Sequence, residues 1–237
     1  MVESIKKLKK ICQRDRKELF FTRVFYRKIS IYFTKLLLYT PISASGVSIL
    51  SGIIGLPSIL FFSFGNYYYS IIGAILLFLW YILDHCDGEI ARYRKNSSAK
   101  GSYVDEVFGI VLSLAFVGIS FGSYNQLHNS AFFLGFSTVI LFGYQKTLFW
   151  KKHFLTKSKR TKTLKSKIKK TGFDTLIREI YEIFGIIFNA STIVLVVLFG
   201  SLFNSLHLVL LFYGVVFPIY MFGVIIYQLY STKNRFC

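Results

Sequence analysis

The sequence predicts an all-α integral membrane protein: six transmembrane helices behind an N-terminal interfacial amphipathic helix, with both termini cytoplasmic. Three observations predict it. The 237 residues are 54% hydrophobic, 19% aromatic and only 17% charged, whereas soluble domains carry about a quarter of their residues as charges. Apolar stretches recur six times at lengths near the roughly 20 residues that a spanning helix needs. Finally, 29 Lys and Arg stand against 11 Asp and Glu, a net charge of +18, and the positives are confined to alternate connections. Such a charge alone would point to nucleic acid, but a nucleic-acid binder needs no long apolar runs, so no nucleic-acid partner is expected. The three cysteines, Cys12, Cys86 and Cys237, are odd in number and irregularly spaced, which argues against a disulfide framework or a zinc site.

The first element is a basic segment, residues 1–40. Its start, with KKLKKICQRDRK, is too charged for a signal peptide. From Phe20 to Tyr39, apolar residues recur at spacings of three and four while Arg23, Arg27, Lys28 and Lys35 interrupt them, a pattern that lies in the membrane interface. Pro41 then breaks the chain at Thr40. The domain 41–237 follows, with spans near 47–64, 69–83, 107–121, 132–150, 183–203 and 206–230. Eleven positives precede Pro41, four lie between Arg92 and Lys100, and eleven between Lys146 and Lys170, with Arg178, Lys233 and Arg235 completing the set. The connections around Asn66, Tyr124–Asn129 and Asn204 carry none. Six alternating spans put every positive on one side, which the positive-inside rule makes the cytoplasm. The basic loop 151–175 is then expected to face anionic lipid headgroups.

Against that field the acids stand out. Asp84, Asp87, Glu89, Asp105 and Glu106 cluster where the second span meets the cytoplasm and the third begins. Ionisable groups at a membrane edge are expensive and usually functional. Asp84 and Asp87 share a helix face at a spacing of three, and Asp105 returns on the next helix after a glycine-containing turn. Three converging carboxylates suit a hard divalent cation, Mg²⁺ or Mn²⁺, whose remaining ligands are waters and substrate phosphates. With Arg92, Ser97, Ser98 and Lys100 alongside, the expected ligand is a phosphate ester. Alternatively, the acids pair with Arg92, Arg94 and Lys95. A transporter is a weaker reading, because the acids gather at one interface and not at the bilayer midplane.

The segment Asp84-His85-Cys86-Asp87-Gly88-Glu89-Ile90-Ala91-Arg92, eight residues, then Gly101-Ser102-Tyr103-Val104-Asp105 resembles the signature of the CDP-alcohol phosphotransferases, D-x2-D-G-x2-A-R-x8-G-x3-D-x3-D. Seven of eight fixed positions fit without a gap, and Ser45 and Ser48 occupy a degenerate form of the family's P-N-x2-T segment. The resemblance implies an interfacial helix, six spans, a cytoplasm-facing cavity and a homodimer. It implies transfer of a substituted phosphate from a CDP-linked donor, such as CDP-diacylglycerol, to an alcohol acceptor with release of CMP, in phospholipid synthesis. It would make Asp84, Asp87 and Asp105 metal ligands. Gly88, Ala91, Arg92, Ser98, Gly101, Ser45 and Ser48 would line the donor site.

The eighth position is Gly109, where the family pattern has the aspartate that serves as general base. Three readings stay open: another acid substitutes, Glu106 first with His85 and Glu89 behind it; the enzyme works with weaker base assistance; or the protein binds a nucleotide-lipid or a partner without turnover. Among lesser features, Gly118-x3-Gly122 would mark a helix–helix contact, Cys86 a packing position and Asn189 a cavity group or interhelical bond. Glu179 and Glu182 open the fifth span, and Tyr67–Tyr69, Trp150, Tyr227 and Tyr230 fit aromatic belts.

Overall fold

The computed structural model describes residues 2–13, 20–96, 99–140 and 186–236, excepting the side chains at 99, 100, 102, 106 and 224–236. Expectations for Ser98, Trp150, the loop 151–175, Arg178, Glu179 and Glu182 lie outside the described residues, as do those for the side chains of Glu106, Tyr227 and Tyr230. The described residues are helical and include no strand. In order they are α1 (Ile5–Cys12), a π-helical turn (Thr22–Tyr26) running into α2 (Arg27–Leu38), α3 (Ala44–Gly55), α4 (Pro57–Ser63) and α5 (Tyr67–Tyr93). Then come α6 (Ala99–Phe108), α7 (Val111–Gly122), α8 (Tyr124–Leu127), α9 (Asn129–Ile140), α10 (Ala190–Leu202) and α11 (Leu206–Phe236).

Side-chain caps start several of these helices. Ser43 Oγ accepts from the Gly46 N–H at 3.1 Å before α3, and Asn66 Oδ1 accepts from the Tyr68 N–H at 3.0 Å before α5. Each satisfies a donor that the first helical turn leaves open. Asn189 does the same for α10, its Oδ1 accepting from the Ser191 N–H at 3.0 Å and Oγ at 2.8 Å. Asn189 is thus a helix cap, where a cavity group or interhelical bond was expected. Pro57 occupies the first position of α4, where a missing N–H costs little, so α3 and α4 run on as one 20-residue apolar segment.

Three described helices are long and apolar enough to cross a membrane: Ala44–Ser63, Tyr67–Tyr93 and Leu206–Gly223. Among the described residues, Val111–Gly122, Asn129–Ile140 and Ala190–Leu202 are apolar but shorter, and residues 141–150 of the expected fourth span lie outside the described residues. The expected third span is interrupted because Gly109 and Ile110 form a turn between α6 and α7. The expected fifth is shortened in the described residues because Asn189 restarts the helix.

The 27-residue α5 is the axis of the structure, packed by α1, α2, α3, α4, α7 and α10. Tyr26, Leu77, Trp80, Phe116, Tyr213 and Phe217 are part of one buried cluster around it. A Cβ on Gly118 would run into the Ile59 carbonyl, and one on Gly122 into the Phe62 carbonyl. The spaced glycines therefore let α7 lie on the α4 backbone within the chain. Gly65, at φ +63, turns the chain under the Gly122 carbonyl, a conformation that favours glycine. Gly122→Val should cost about 1–3 kcal/mol through overpacking, lowering the melting temperature of detergent-solubilised protein by ~2–4 °C per kcal/mol.

Helix α2 presents two unlike faces. Tyr32, Leu36 and Tyr39 are more than 60% exposed, whereas Ser30 and Thr34 are fully buried. Ser30 and Thr34 face the protein together with Ile31, while Tyr32 and Leu36 face outward.

Candidate metal centre and nucleotide site

Helix periodicity puts Asp84 and Asp87 one turn apart near the end of α5, and beyond the turn at 94–95 α6 lies back beside them. Their ligand oxygens and that of Asp105 all lie within 4.8 Å of one another. The turn itself uses Lys95 at φ +53; Gly101 lies inside α6, so the expected glycine turn is displaced. Arg94 fastens the reversal by donating to the Ile42 carbonyl at 2.5 Å and the Thr40 carbonyl at 2.9 Å. Gly52 of α3 leaves room for the Phe108 ring of α6, which seats Asp105 over α5.

The three acids differ in setting. Asp87 is buried, Asp84 half-buried and Asp105 exposed. Ser48 Oγ donates to Asp87 Oδ2 at 2.5 Å, so this serine orients a carboxylate from the facing helix α3. Ser45 lies one turn before it, half-buried at the start of α3. His85 Nδ1 is 3.9 Å from Asp84 Oδ2, and the His85 ring packs against Tyr81 at 4.6 Å and Tyr26 at 5.8 Å. Clustered carboxylates at this separation repel each other, and a hard divalent cation taking oxygen ligands is the group that fits them.

The remaining motif residues extend the site along α5. Asp84, Gly88 and Arg92 recur every four residues and share a face, with Ala91 half-buried beside them. A Cβ on Gly88 would sit 3.3 Å from Arg92 Nη1, so the guanidinium folds along the surface glycine leaves open. Arg92 Nε donates to the Cys12 carbonyl at 2.5 Å. Gly101 lies one turn before Asp105 on α6. Gly109 N–H donates to the Asp105 carbonyl at 2.9 Å, placing position 109 one turn beyond that acid. Glu106 belongs to the regular part of α6, about 100° around the axis from Asp105.

Glu89 has a different place from the one expected of a substitute acid. It is fully buried. Its Oε1 accepts from Gln13 Nε2 at 3.0 Å, Arg27 Nη1 at 3.1 Å and Ser30 Oγ at 2.9 Å, and Oε2 accepts from Thr34 Oγ1 at 2.6 Å. It anchors the N-terminal helices to α5, and both of its oxygens are engaged in doing so. The signal for it was Arg27, Ser30 and Thr34, polar residues at spacings of three and four inside an apolar helix. Cys86 is fully buried with its Sγ toward the Ser30 carbonyl at 3.4 Å and the Ile82 carbonyl at 3.2 Å, a packing position.

A separate polar recess, lined in part by Ser70, Ser123, Gln126 and His207, sits toward the opposite end of α5. Ser70 precedes Asp87 by about 25 Å of helix axis, and that recess contains no carboxylate. A comparison with curated protein sequences yields no match. The model of one protein family, CDP-alcohol phosphatidyltransferase, matches residues 42–226, and with most of its length covered this chain belongs to that family of enzymes.

Proposed function

We propose that the chain is a membrane CDP-alcohol phosphotransferase. It moves a substituted phosphate from a CDP-linked donor, such as CDP-diacylglycerol, to an alcohol hydroxyl with release of CMP, in phospholipid synthesis. The observation that carries the proposal is the convergence of Asp84, Asp87 and Asp105 to within 4.8 Å in a chain of this family. In this reading the domain 41–237 has six spans, residues 1–40 supply the interfacial helix, and the acids and both termini face the cytoplasm. The one-sided positive charge and the outward-facing Tyr32, Leu36 and Tyr39 support that arrangement.

Asp84, Asp87 and Asp105 would hold Mg²⁺ or Mn²⁺. When bound, such an ion neutralises diphosphate charge and lowers the cost of the transfer step. The protein residues do the positioning. Ser48 fixes Asp87 in one orientation, with Ser45 on the same helix beside it. Gly88, Ala91 and Gly101 leave space for the nucleotide, and Arg92, with Ser98, engages donor phosphate through a planar fork of donors. Removing the acceptor proton is the step the chain is least equipped for, because position 109 is glycine. Glu106 takes a partial share of that role, handicapped by its angle from Asp105.

The test is direct. Purified protein with Mg²⁺, radiolabelled CDP-diacylglycerol and a panel of alcohols (inositol phosphate, glycerol phosphate, serine) should release CMP with at least one acceptor. No release with any donor–acceptor pair overturns the proposal and favours a second reading, for which Gly109 is the observation: a member that binds its ligand without turnover.

A further inference from the structure

The donor-side arginine is held by a helix that lies outside the family match. Arg92 Nε meets the carbonyl of Cys12, the last residue of α1, at 2.5 Å, while the Nη1 edge lies against Gly88. A cation at a helix C-terminus is also favoured by the helix dipole. The placement of that carbonyl depends on the next residue, Gln13, whose Nε2 donates to Glu89 Oε1 at 3.0 Å and to the Arg27 carbonyl at 2.7 Å. Leu8 and Cys12 dock α1 on Ile31 and Tyr93 as a small apolar cluster of their own. Lys6, Lys7 and Lys10 face away from it. Thus α1 has a thin apolar seat and one polar latch, and its far end touches the residue expected to grip donor phosphate.

We propose that α1 is a positioning element of the donor site: the Gln13–Glu89 latch holds the Cys12 carbonyl where it orients Arg92, so that donor binding and α1 docking reinforce each other. This rests on the reading of Arg92 as a donor contact. Gln13 and Glu89 act only through Arg92 and are positioning residues. Coupling of this kind is reciprocal, so a ligand that uses the oriented arginine must tighten the docked helix by the factor by which docking tightens the ligand.

Cys12 supplies a reporter. It is fully buried, and burial pushes its thiol up to about 11, with Glu89 adding to the rise and Arg92 opposing it. Alkylation near pH 8 therefore reads undocking. In the full chain carrying Cys86→Ser and Cys237→Ser, with Mg²⁺, saturating CDP should slow maleimide labelling of Cys12 by about tenfold, within the ordinary range of coupling. Gln13→Ala should speed labelling about tenfold and raise the KM for the CDP-linked donor by a similar factor, with kcat within about twofold. Gln13→Glu, which sets like charges together, should exceed both effects. Wild-type rates of labelling in Gln13→Ala and Gln13→Glu overturn the latch. CDP binding that leaves labelling unchanged, or a donor KM unmoved in variants whose α1 has loosened, overturns the coupling. Failure of CDP to bind the wild-type protein overturns the donor reading instead, and the labelling rates still decide the latch.

Discussion

Asp87→Asn is expected to reduce CMP release by at least about 100-fold while raising the melting temperature of the metal-free protein. Both effects have one cause. Asp87 is the least exposed of three acids whose oxygens lie within 4.8 Å of one another, so without a cation it contributes repulsion and a desolvation cost. Asparagine keeps the shape and an acceptor for Ser48 Oγ, now 2.5 Å away, but discards the charge. Stability should rise by a few degrees, since about 1 kcal/mol moves a chain of this size by ~2–4 °C. Activity should fall, because loss of a mere supporting partner of a metal ligand already costs about 10–100-fold. Ser48→Ala belongs to that milder class and should weaken Mg²⁺ activation about tenfold. The check is a thermal melt with and without Mg²⁺ beside the CMP assay. A variant that loses both stability and activity would show that Asp87 holds the fold and not the cation.

The contrast between stability and activity also explains which parts of the molecule were legible in the sequence. Charge and hydropathy act on whole segments, so the helical architecture and the clustering of acids could be read from the chain. The acid cluster was legible because Asp84 and Asp87 share a helix face at any rotation of α5. The apolar stretch of that helix ends near Leu83, whereas α5 continues to Tyr93. Its polar last turns are stabilised by the site and by Glu89, interactions invisible to a hydropathy pattern. Nor does the pattern of α2 show that Ser30 and Thr34 turn inward to donate to a buried carboxylate 59 and 55 residues away. A group that is costly to bury unpaired selects the orientation of a helix distant in sequence, and only the folded arrangement shows the pairing. Gly118 and Gly122 announced a close helix contact, though not that the Ile59 and Phe62 carbonyls would be its other side.

Gly109→Asp is the second large effect, a gain. The backbone permits it: among described glycines only Gly65 has positive φ, so position 109 accepts an L side chain without the strain of the left-handed region. Its N–H bonds to the Asp105 carbonyl at 2.9 Å, which keeps an aspartate there one turn beyond Asp105 and on the same face. Glu106 precedes the turn at 109–110, and nothing in the regular helix of α6 rotates it toward that face. General-base help is typically worth about 10²–10⁴-fold, so Gly109→Asp should raise CMP release by about 10²-fold at saturating Mg²⁺. Glu106→Gln should lower release in the wild-type background by about tenfold, reflecting its partial share, yet change little once Asp stands at 109. That non-additivity is the decisive readout, since residues serving one step do not sum. If wild-type protein releases no CMP and Gly109→Asp does, the chain is a ligand-binding member from which the base has been lost. If Gly109→Asp lowers release while Glu106→Gln abolishes it, Glu106 is the full base and the angular argument fails. The position that departs from the family pattern thereby separates an enzyme running with weak base assistance from a binder that keeps the metal site and has given up the chemistry.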